Sequence, residues 1–581
     1  MSEARLKPGG VVLIVGFALA VVGFGLWTTM QKPGPLGGPG PATTTAPQPT
    51  TSPAPGTEPG TGTEPAVALA GGGKFEEVGK QKVPQLTGSG KYAWNDADPV
   101  VVFPINVWAG WGPIIAANGG FASDSPDSVF KKNSRFKVEL RLIDDPAAAA
   151  NEYASGKAHT MWGTLDMIAL FAPSLQKAGL TPKVFQQIDW SRGGDGIVVR
   201  SQIKTVADLK GKTVTLCQNS PSHFYLLQLL RDAEIPPSDL TFRFTSTAFG
   251  ASALFAQDRT VHACVSWAPD IYTLVDPKNN PGNRNRLLST TADASNVIAD
   301  VWAARPDFAK DHPEVIEGLV RGIFEGWRLL RDDPDRVAAL MAAGYGIPVE
   351  DCKAMLHDAY PTGLGDNEKF FLTSEEQNSV NFVGTWNKAC AAYRAYGAIE
   401  TAPVPADQVM DGSVIKKLKE EGAFSEQTSE TRTFAPLAID KANIEATLPE
   451  VLRVPLHVQF KPNEAGLDEA FDPTIPATLA RIKQLAEQFG AARIVIEGNT
   501  DTSRKNEFKR MGTRVYSEMS TAVQELSEKR ANAMRDAVLK LLGPGTDPNK
   551  IAAFGNGWEN PIDPVDHAKN RRVDVRVLPV E

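Results

Sequence analysis

The strongest constraint is an alternation running from Pro99 to about Glu400: short β-branched runs, each followed by an amphipathic helical stretch. VVFPINVW (Val101 to Trp108) reads as a buried strand, then Gly-rich AGWGP leads into a helix. FKVELRLI (Phe136 to Ile143) alternates as a half-buried strand does. TVADLKGKTVTLC predicts a short helix, a Lys-Gly turn and a strand ending at Cys217; LTFRFT and HACVSW (His262 to Trp267) repeat the pattern. Strand–helix alternation predicts a parallel-sheet α/β architecture. About 300 residues is large for one sheet and comfortable for two lobes.

What precedes this region cannot fold in the same way. Between Lys7 and Lys32 lie 24 residues without a formal charge, and Val11 to Trp27 is almost wholly apolar. About 20 helical residues cross a hydrocarbon core, so residues 11–30 are expected to be a transmembrane anchor after a cytoplasmic tail, residues 1–10. Arg5 and Lys7 keep the start in the cytoplasm. A cleaved signal peptide is the alternative; the A-x-A of Ala18-Leu19-Ala20 sits in mid-run rather than after it. Either way the remainder is exported. From Pro33 to Ala66, 17 of 34 residues are Pro or Gly, a composition that cannot offset its ordering entropy by burial. Residues 31–90 are expected to be a linker with a reach of at most ~190 Å.

Composition narrows the chemistry. The 581 residues hold 60 Lys+Arg against 68 Asp+Glu, a net charge of −8, which argues against a nucleic-acid partner. Four cysteines without a CxxC pair exclude a disulfide scaffold and a Cys-rich zinc site, and seven histidines show no HExxH. There is no GxxxxGK[ST] and no G-x-S-x-G. An enzyme is not expected, nor a metal or cofactor. Cys217 and Cys264 fall in predicted strands, which makes them buried thiols; Cys352 and Cys390 fall on predicted helices, either free or paired in an oxidising compartment.

VADLKGKTV, NSPSHFYLLQLLRDAEI and ALFAQDRTVHACVSWAPD, in that order, resemble the nitrate/sulfonate/taurine/thiamine-precursor type of ABC-transporter substrate-binding protein over residues 95–400. The resemblance implies two lobes that close on a small, anionic solute by hinge bending, with an ABC permease as partner. Asn219, Arg259-Thr260 and His262 depart from the family's pattern and weaken transfer of the substrate. Ser220-Pro221-Ser222 reads independently as a helix start, with Ser as N-cap and Pro at N1; such a terminus is a plain cap or an anion cradle. Trp108, Trp111, Trp162, Trp190 and Trp267 fall at or beside predicted strand ends, where α/β sheets hold ligands, with core packing as the alternative. The expected ligand-binding residues are Trp108, Trp111, Thr164 of the GTLDM loop, Ser220, Ser222 and Trp267. Asp166 and Asp270 are candidates for a cationic group of the ligand, against a surface or hinge role; Gly193-Gly194 is the expected hinge.

After a connector at residues 401–450 the pattern changes again. VPLHVQFKPNEAGLD is a strand and turn, and Leu479, Ile482, Leu485, Ala486 and Phe489 recur at helical spacing. ARIVIEGNTD is a strand and polar loop. VQELSEKRANAMRDAVLKLL is an amphipathic helix with Leu526, Met534, Val538 and Leu541 on one side, and NRRVDVRVLPVE closes the domain. EGNTD, LSEKRA, FGNGWENP and NRRVDV, in order, resemble the OmpA-like peptidoglycan-binding domain over residues 451–581. The resemblance implies an α+β domain that grips the meso-diaminopimelate of peptidoglycan, with Asp501 on the ammonium and Arg530 on the carboxylate. Thr500, Arg571 and Arg572 frame the same region, one of the two arginines being structural. Two departures stand out: a charged insertion around Arg510 to Thr521, and Val523 where the family usually has Asn.

The whole chain then reads as an inner-membrane-anchored, single-pass periplasmic solute receptor whose far end docks on the wall. The alternative is a structural or stator-like envelope tether with a repurposed binding domain. A stator needs a membrane-embedded acid for proton passage, and residues 8–31 contain none.

Overall fold

The computed structural model describes residues 69–70, 72–81, 86–434, 451–461 and 463–579. The expected cytoplasmic tail, anchor and most of the expected linker lie outside these residues. Among the described residues no helix is long and apolar enough to cross a membrane.

The alternating segments form two lobes, each with its own sheet. In the first, four antiparallel strands lie in the order Ala359–Pro361, Lys183–Ser191, Ala299–Ala304, Thr160–Thr164, beside a parallel pair, Val100–Ile105 and Lys137–Leu142. Val101, Phe103 and Ile105 are fully buried, as one face of such a strand requires. The second lobe has six strands in the order Glu77–Val78, Thr241–Thr245, Thr213–Cys217, Ala263–Trp267, Asp195–Arg200, Asn285–Thr290. Only its central three are mutually parallel, so the sheets are mixed rather than the parallel ones the alternation predicts. Helix signals behave locally. Asp145 accepts the Ala147 and Ala148 N–H groups at 2.8 and 3.0 Å, Pro146 opens the helix Pro146–Ser155, and Gly156 ends it at φ +81°.

The chain passes between the lobes at residues 192–194 and 291–298, as it also does between Glu77–Val78 and Val100–Ile105, because successive strands there belong to different sheets. Thr291 ties the passages 192–194 and 291–298 together: its Oγ1 accepts the N–H groups of Gly193 and Asp195 at 2.9 and 3.2 Å.

Two domain limits need correction. The linker expected up to residue 90 stops before residue 69. Leu69 is buried, Ala70 donates its N–H to Asp270 at 2.8 Å, and Glu77–Val78 adds an antiparallel edge strand to the second lobe. The connector expected from residue 401 begins later, because Ser413–Glu421 buries Ile415 and Leu418 and pairs Lys417 and Glu421 with Glu317 and Arg321 of the first lobe. All four cysteines are free and buried, Cys352 and Cys390 included.

The terminal region is a four-stranded sheet ordered Leu452–Leu456, Val573–Leu578, Arg493–Asn499, Ile551–Gly557, its last pair parallel. Helices Ile475–Gln488 and Thr513–Leu542 bury Ile482, Leu485, Ala531, Met534 and Val538, while Leu541 is exposed. The charged insertion becomes the first turns of that 30-residue helix. The terminal region also rests on the lobes. Arg481 pairs with Asp232 at 2.6 Å, Gln488 donates to Asp232 at 2.6 Å, and Asn296 donates its N–H to the Gln488 carbonyl at 3.1 Å.

Candidate functional sites

The first site lies where the lobes meet. Asp300, in its antiparallel sheet, stands opposite Thr164 on one side and Asp189 on the other. Directly opposed residues on antiparallel strands share a face, so these three side chains form one row. Across the passage Asp195 opens its strand opposite Trp267, which closes the neighbouring one. Thr164 and Trp267 both end strands, the position where α/β sheets place ligands.

Burial governs this junction. Asp189 accepts from the Trp108 indole N–H at 3.0 Å, Asp195 from the Ser191 hydroxyl at 2.7 Å, and Asp166 from the Tyr393 hydroxyl at 3.1 Å. Desolvation pushes Asp166, Asp189 and Asp195 each up to about 7. Asp300 is raised well above the carboxylate range by burial and then by the negative charge of Asp189 and Asp195. Of the surface, hinge and ligand readings open for Asp166 and Asp270, the surface one is corrected: both are buried, and burial carries Asp270 up to about 6.

The other expected ligand residues divide. Ser222 is fully buried with a hydroxyl that has no partner, and the Trp267 indole N–H has none either. Thr164 is fully buried beside Asp166, whose carboxylate its side chain steadies. Ser220 sits at the N-cap with Pro221 at N1, but its hydroxyl donates to the Cys217 carbonyl at 2.8 Å and does not cap the helix Pro221–Asp232. Trp111 lies in the core against Phe103, its indole N–H bonded to Asn106 at 2.7 Å. Trp162 is likewise core and donates to the Ile143 carbonyl at 3.0 Å; Trp190 packs edge-on against Phe370. Gly193 and Gly194 lie in the passage 192–194, Gly193 at φ +124°. Sequence reasoning missed Asp189, Asp195 and Asp300, which belong to no motif. Asp300 alone carried a signal, a carboxylate inside the otherwise apolar strand ADVWAA, a position that costs free energy unless something compensates it.

The second site is on the terminal region. Asp501, in the loop after the strand Arg493–Asn499, accepts the Ser503 N–H and hydroxyl at 3.1 and 2.6 Å and faces Arg571 Nη1 at 3.3 Å. Arg530, on the long helix, is nearly buried. Its Nε and Nη2 donate to the carbonyls of Glu464 and Lys461 at 3.0 and 3.2 Å, and its guanidinium lies 4.8 Å from the Phe460 ring centre. Burial lowers its pKa, Arg571 lowers it further, and Asp501 pulls the other way, so the three charges share one neighbourhood. Nη1 enters neither bond and stays available to a carboxylate. Thr500 is buried, with a hydroxyl that has no partner. Arg572 clasps Asp574 through two bonds of 2.7 Å and donates to the Asn560 carbonyl, using Nε and Nη2, while its Nη1 is buried without a partner. The insertion adds an aromatic stack, with Phe508 and Tyr516 against Trp558 at 6.0 and 5.7 Å.

Residues 137–337 match the family described as NMT1/THI5 like, and residues 459–574 match the OmpA family. The chain is 25% identical over 214 residues to the taurine-binding periplasmic protein of Escherichia coli (strain K12), covering 36% of this chain and 62% of the relative. It is 30% identical over 168 residues to a putative aliphatic sulfonates-binding protein of the same strain, covering 29% and 50%. It is 28% identical over 205 residues to outer membrane porin F of Pseudomonas aeruginosa PAO1, covering 35% and 51%. The chain thus spans half to about three-fifths of the length of the curated relatives it matches. It joins an NMT1/THI5-like region, which lies within the two lobes, to an OmpA-type region.

Proposed function

We propose that this chain, an NMT1/THI5-like region joined to an OmpA-like one, is an exported solute receptor that holds noncovalently to the cell wall. The observation that carries the wall reading is the grouping of Arg530, Asp501 and Arg571. A zwitterion such as the diaminopimelate of a peptidoglycan stem needs an anion and a cation a few ångströms apart. Asp501 supplies the first. Arg530, held rigid by two carbonyls, supplies the second, and Arg571 braces Asp501 at 3.3 Å.

The solute would enter between the lobes, which close at the passages 192–194 and 291–298 and in that state engage an ABC permease. Residues 11–30 would hold the chain in the inner membrane with the rest in the periplasm. No catalytic group is needed.

The test is co-sedimentation with purified sacculi. Arg530→Ala removes one member of a partly desolvated charge set and should weaken retention by about 2–5 kcal/mol. Unchanged retention of a folded Arg530→Ala protein would remove the wall assignment.

A further inference from the structure

We infer that the junction between the lobes takes a solute bearing a cationic nitrogen, a protonated amine or guanidinium, an inference that rests on the solute-receptor reading above. The argument starts from charge. Asp166, Asp189, Asp195 and Asp300 converge there from four segments, each no more than 5% exposed. Among the described residues no lysine or arginine is hydrogen-bonded or ion-paired to any of the four. Burying even one carboxylate without a cation is costly, and four close together repel one another as well, although Asp189 and Asp300 share a hydrogen bond.

Their surroundings point to a ligand. Asp195 spends one oxygen on Ser191, and its other oxygen, Oδ1, is buried without a partner. Opposite it on the adjoining strand, the buried Trp267 indole N–H has no acceptor. That donor asks for an acceptor atom on the solute in addition to the cationic nitrogen. Unmatched buried donors and acceptors are rare in folded proteins and are met by water, ions or ligands. Trp108 and Trp267 add aromatic surface of the kind that favours a cation.

The other charged groups around the junction do not neutralise it. Arg192, the cation that acts on Asp189, pairs with Glu430 at 2.5 Å and lies over the Tyr360 ring at 3.6 Å. Asp358, from the first lobe, bonds the Tyr272 hydroxyl at 2.8 Å and adds negative charge near Asp195. Tyr393 donates to Asp166, and Tyr225, Tyr272 and Tyr345, whose hydroxyls also feel these carboxyls, carry no positive charge. A simple anion entering this space would meet like charge, whereas an ammonium or guanidinium would meet acceptors on both lobes. Because Asp300 and Asp189 belong to one lobe and Asp195 to the other, the same cation would draw the lobes together.

The test is titration calorimetry on the full chain near neutral pH. The probes are ethylammonium, methylguanidinium, tetramethylammonium and 1,4-diaminobutane as chlorides, with sodium ethanesulfonate as the anionic probe. At least one cation should saturate the protein, and Asp195→Asn with Asp300→Asn should weaken it by about tenfold or more. Circular dichroism checks the fold of that variant, and single Asp300→Asn serves if the pair does not fold. Saturation by ethanesulfonate and by none of the cations overturns the inference and leaves the receptor reading standing. Saturation by none of the five probes at millimolar concentration also overturns it. The receptor reading falls separately, if a broad metabolite screen leaves the intrinsic tryptophan fluorescence unchanged.

Discussion

Arg481 of the terminal region reaches the buried carboxylate of Asp232 at 2.6 Å, at the last turn of the helix whose first turn carries Ser222. That helix connects the lobe junction at one end to the OmpA-type region at the other. Gln488 and Gln228 complete the contact: Gln488 donates to Asp232 at 2.6 Å and Gln228 donates at 3.0 Å to Asp232 and at 3.2 Å to Gln488. Removing Arg481 leaves a buried carboxylate without its cation, a loss on the order of 3–5 kcal/mol in comparable buried pairs, reduced here because Arg481 is partly exposed. Arg481→Met should therefore separate the unfolding of the terminal region from that of the lobes. Differential scanning calorimetry would show two transitions where the wild type shows closer coupling.

The carboxyls of the lobe junction predict an unusual pH profile. Asp166, Asp189 and Asp195 are raised to about 7 by burial, from about 3.9 in an unfolded chain. Because the folded value is the higher one, the fold prefers the protonated form. The cost is absent below about pH 4, grows as pH rises towards 7, and levels off above it, at roughly a few kcal/mol per carboxyl. His223, lowered to about 3 by burial, works in the opposite direction as pH falls below about 6.5 and offsets part of the gain. Asp258, lowered to about 2 by its Thr260 and Arg243 bonds, does so only at more acid pH. The protein without solute should thus melt at a higher temperature at pH 4.5 than at 7.5, and Asp195→Asn with Asp300→Asn should flatten the difference. A wild-type melting temperature that climbs across this interval would show these carboxyls to be compensated.

Gly555 and Gly498 let the long helix approach the sheet closely enough to place Arg530. A Cβ at Gly555 would meet the Gln524 carbonyl oxygen at 2.7 Å, and one at Gly498 would run into the Ser527 carbonyl. Gly555→Ala should push the helix outward, costing about 1–3 kcal/mol by overpacking and weakening sacculus retention although no wall-facing group changes. Thermal melts and co-sedimentation read the two effects separately.

Lys550 is a buried ammonium that donates to the carbonyls of Phe489, Gly490 and Ala492, which end the helix Ile475–Gln488. Burial lowers its pKa well below the usual lysine value. Lys550→Met should strand those three acceptors and destabilise the terminal region by about 1–3 kcal/mol per acceptor left unmatched, an upper figure that water entry would reduce. Urea unfolding followed by Trp558 emission measures it.

Local patterns wrote most of the elements into the sequence. Val101 to Ile105, Thr241 to Thr245 and Ala263 to Trp267 are strands because alternating or continuous apolar runs have one stable use. Asp145-Pro146 and Gly156 bound a helix by capping chemistry that needs no distant partner. The OmpA-type motifs name Asp501 and Arg530, which the fold sets in one neighbourhood. The edge strand Glu77–Val78 escaped notice because two residues in a polar stretch have no period, and only the open edge at Thr245 makes them a strand.

The tertiary structure alone decided which sheet each strand joins, and with it the nature of the junction. Lys183–Ser191 and Asp195–Arg200 are neighbours in sequence separated by Gly193-Gly194, yet they lie in different lobes. Asp189, Asp195 and Asp300 are unremarkable as single letters. They become a shared acidic site because strand register sets Asp300 beside Asp189, while the chain's passage between the lobes brings Asp195 near. Backbone propensity and capping act over a few residues and can be read along the chain; desolvation and the meeting of like charges depend on what the fold brings together.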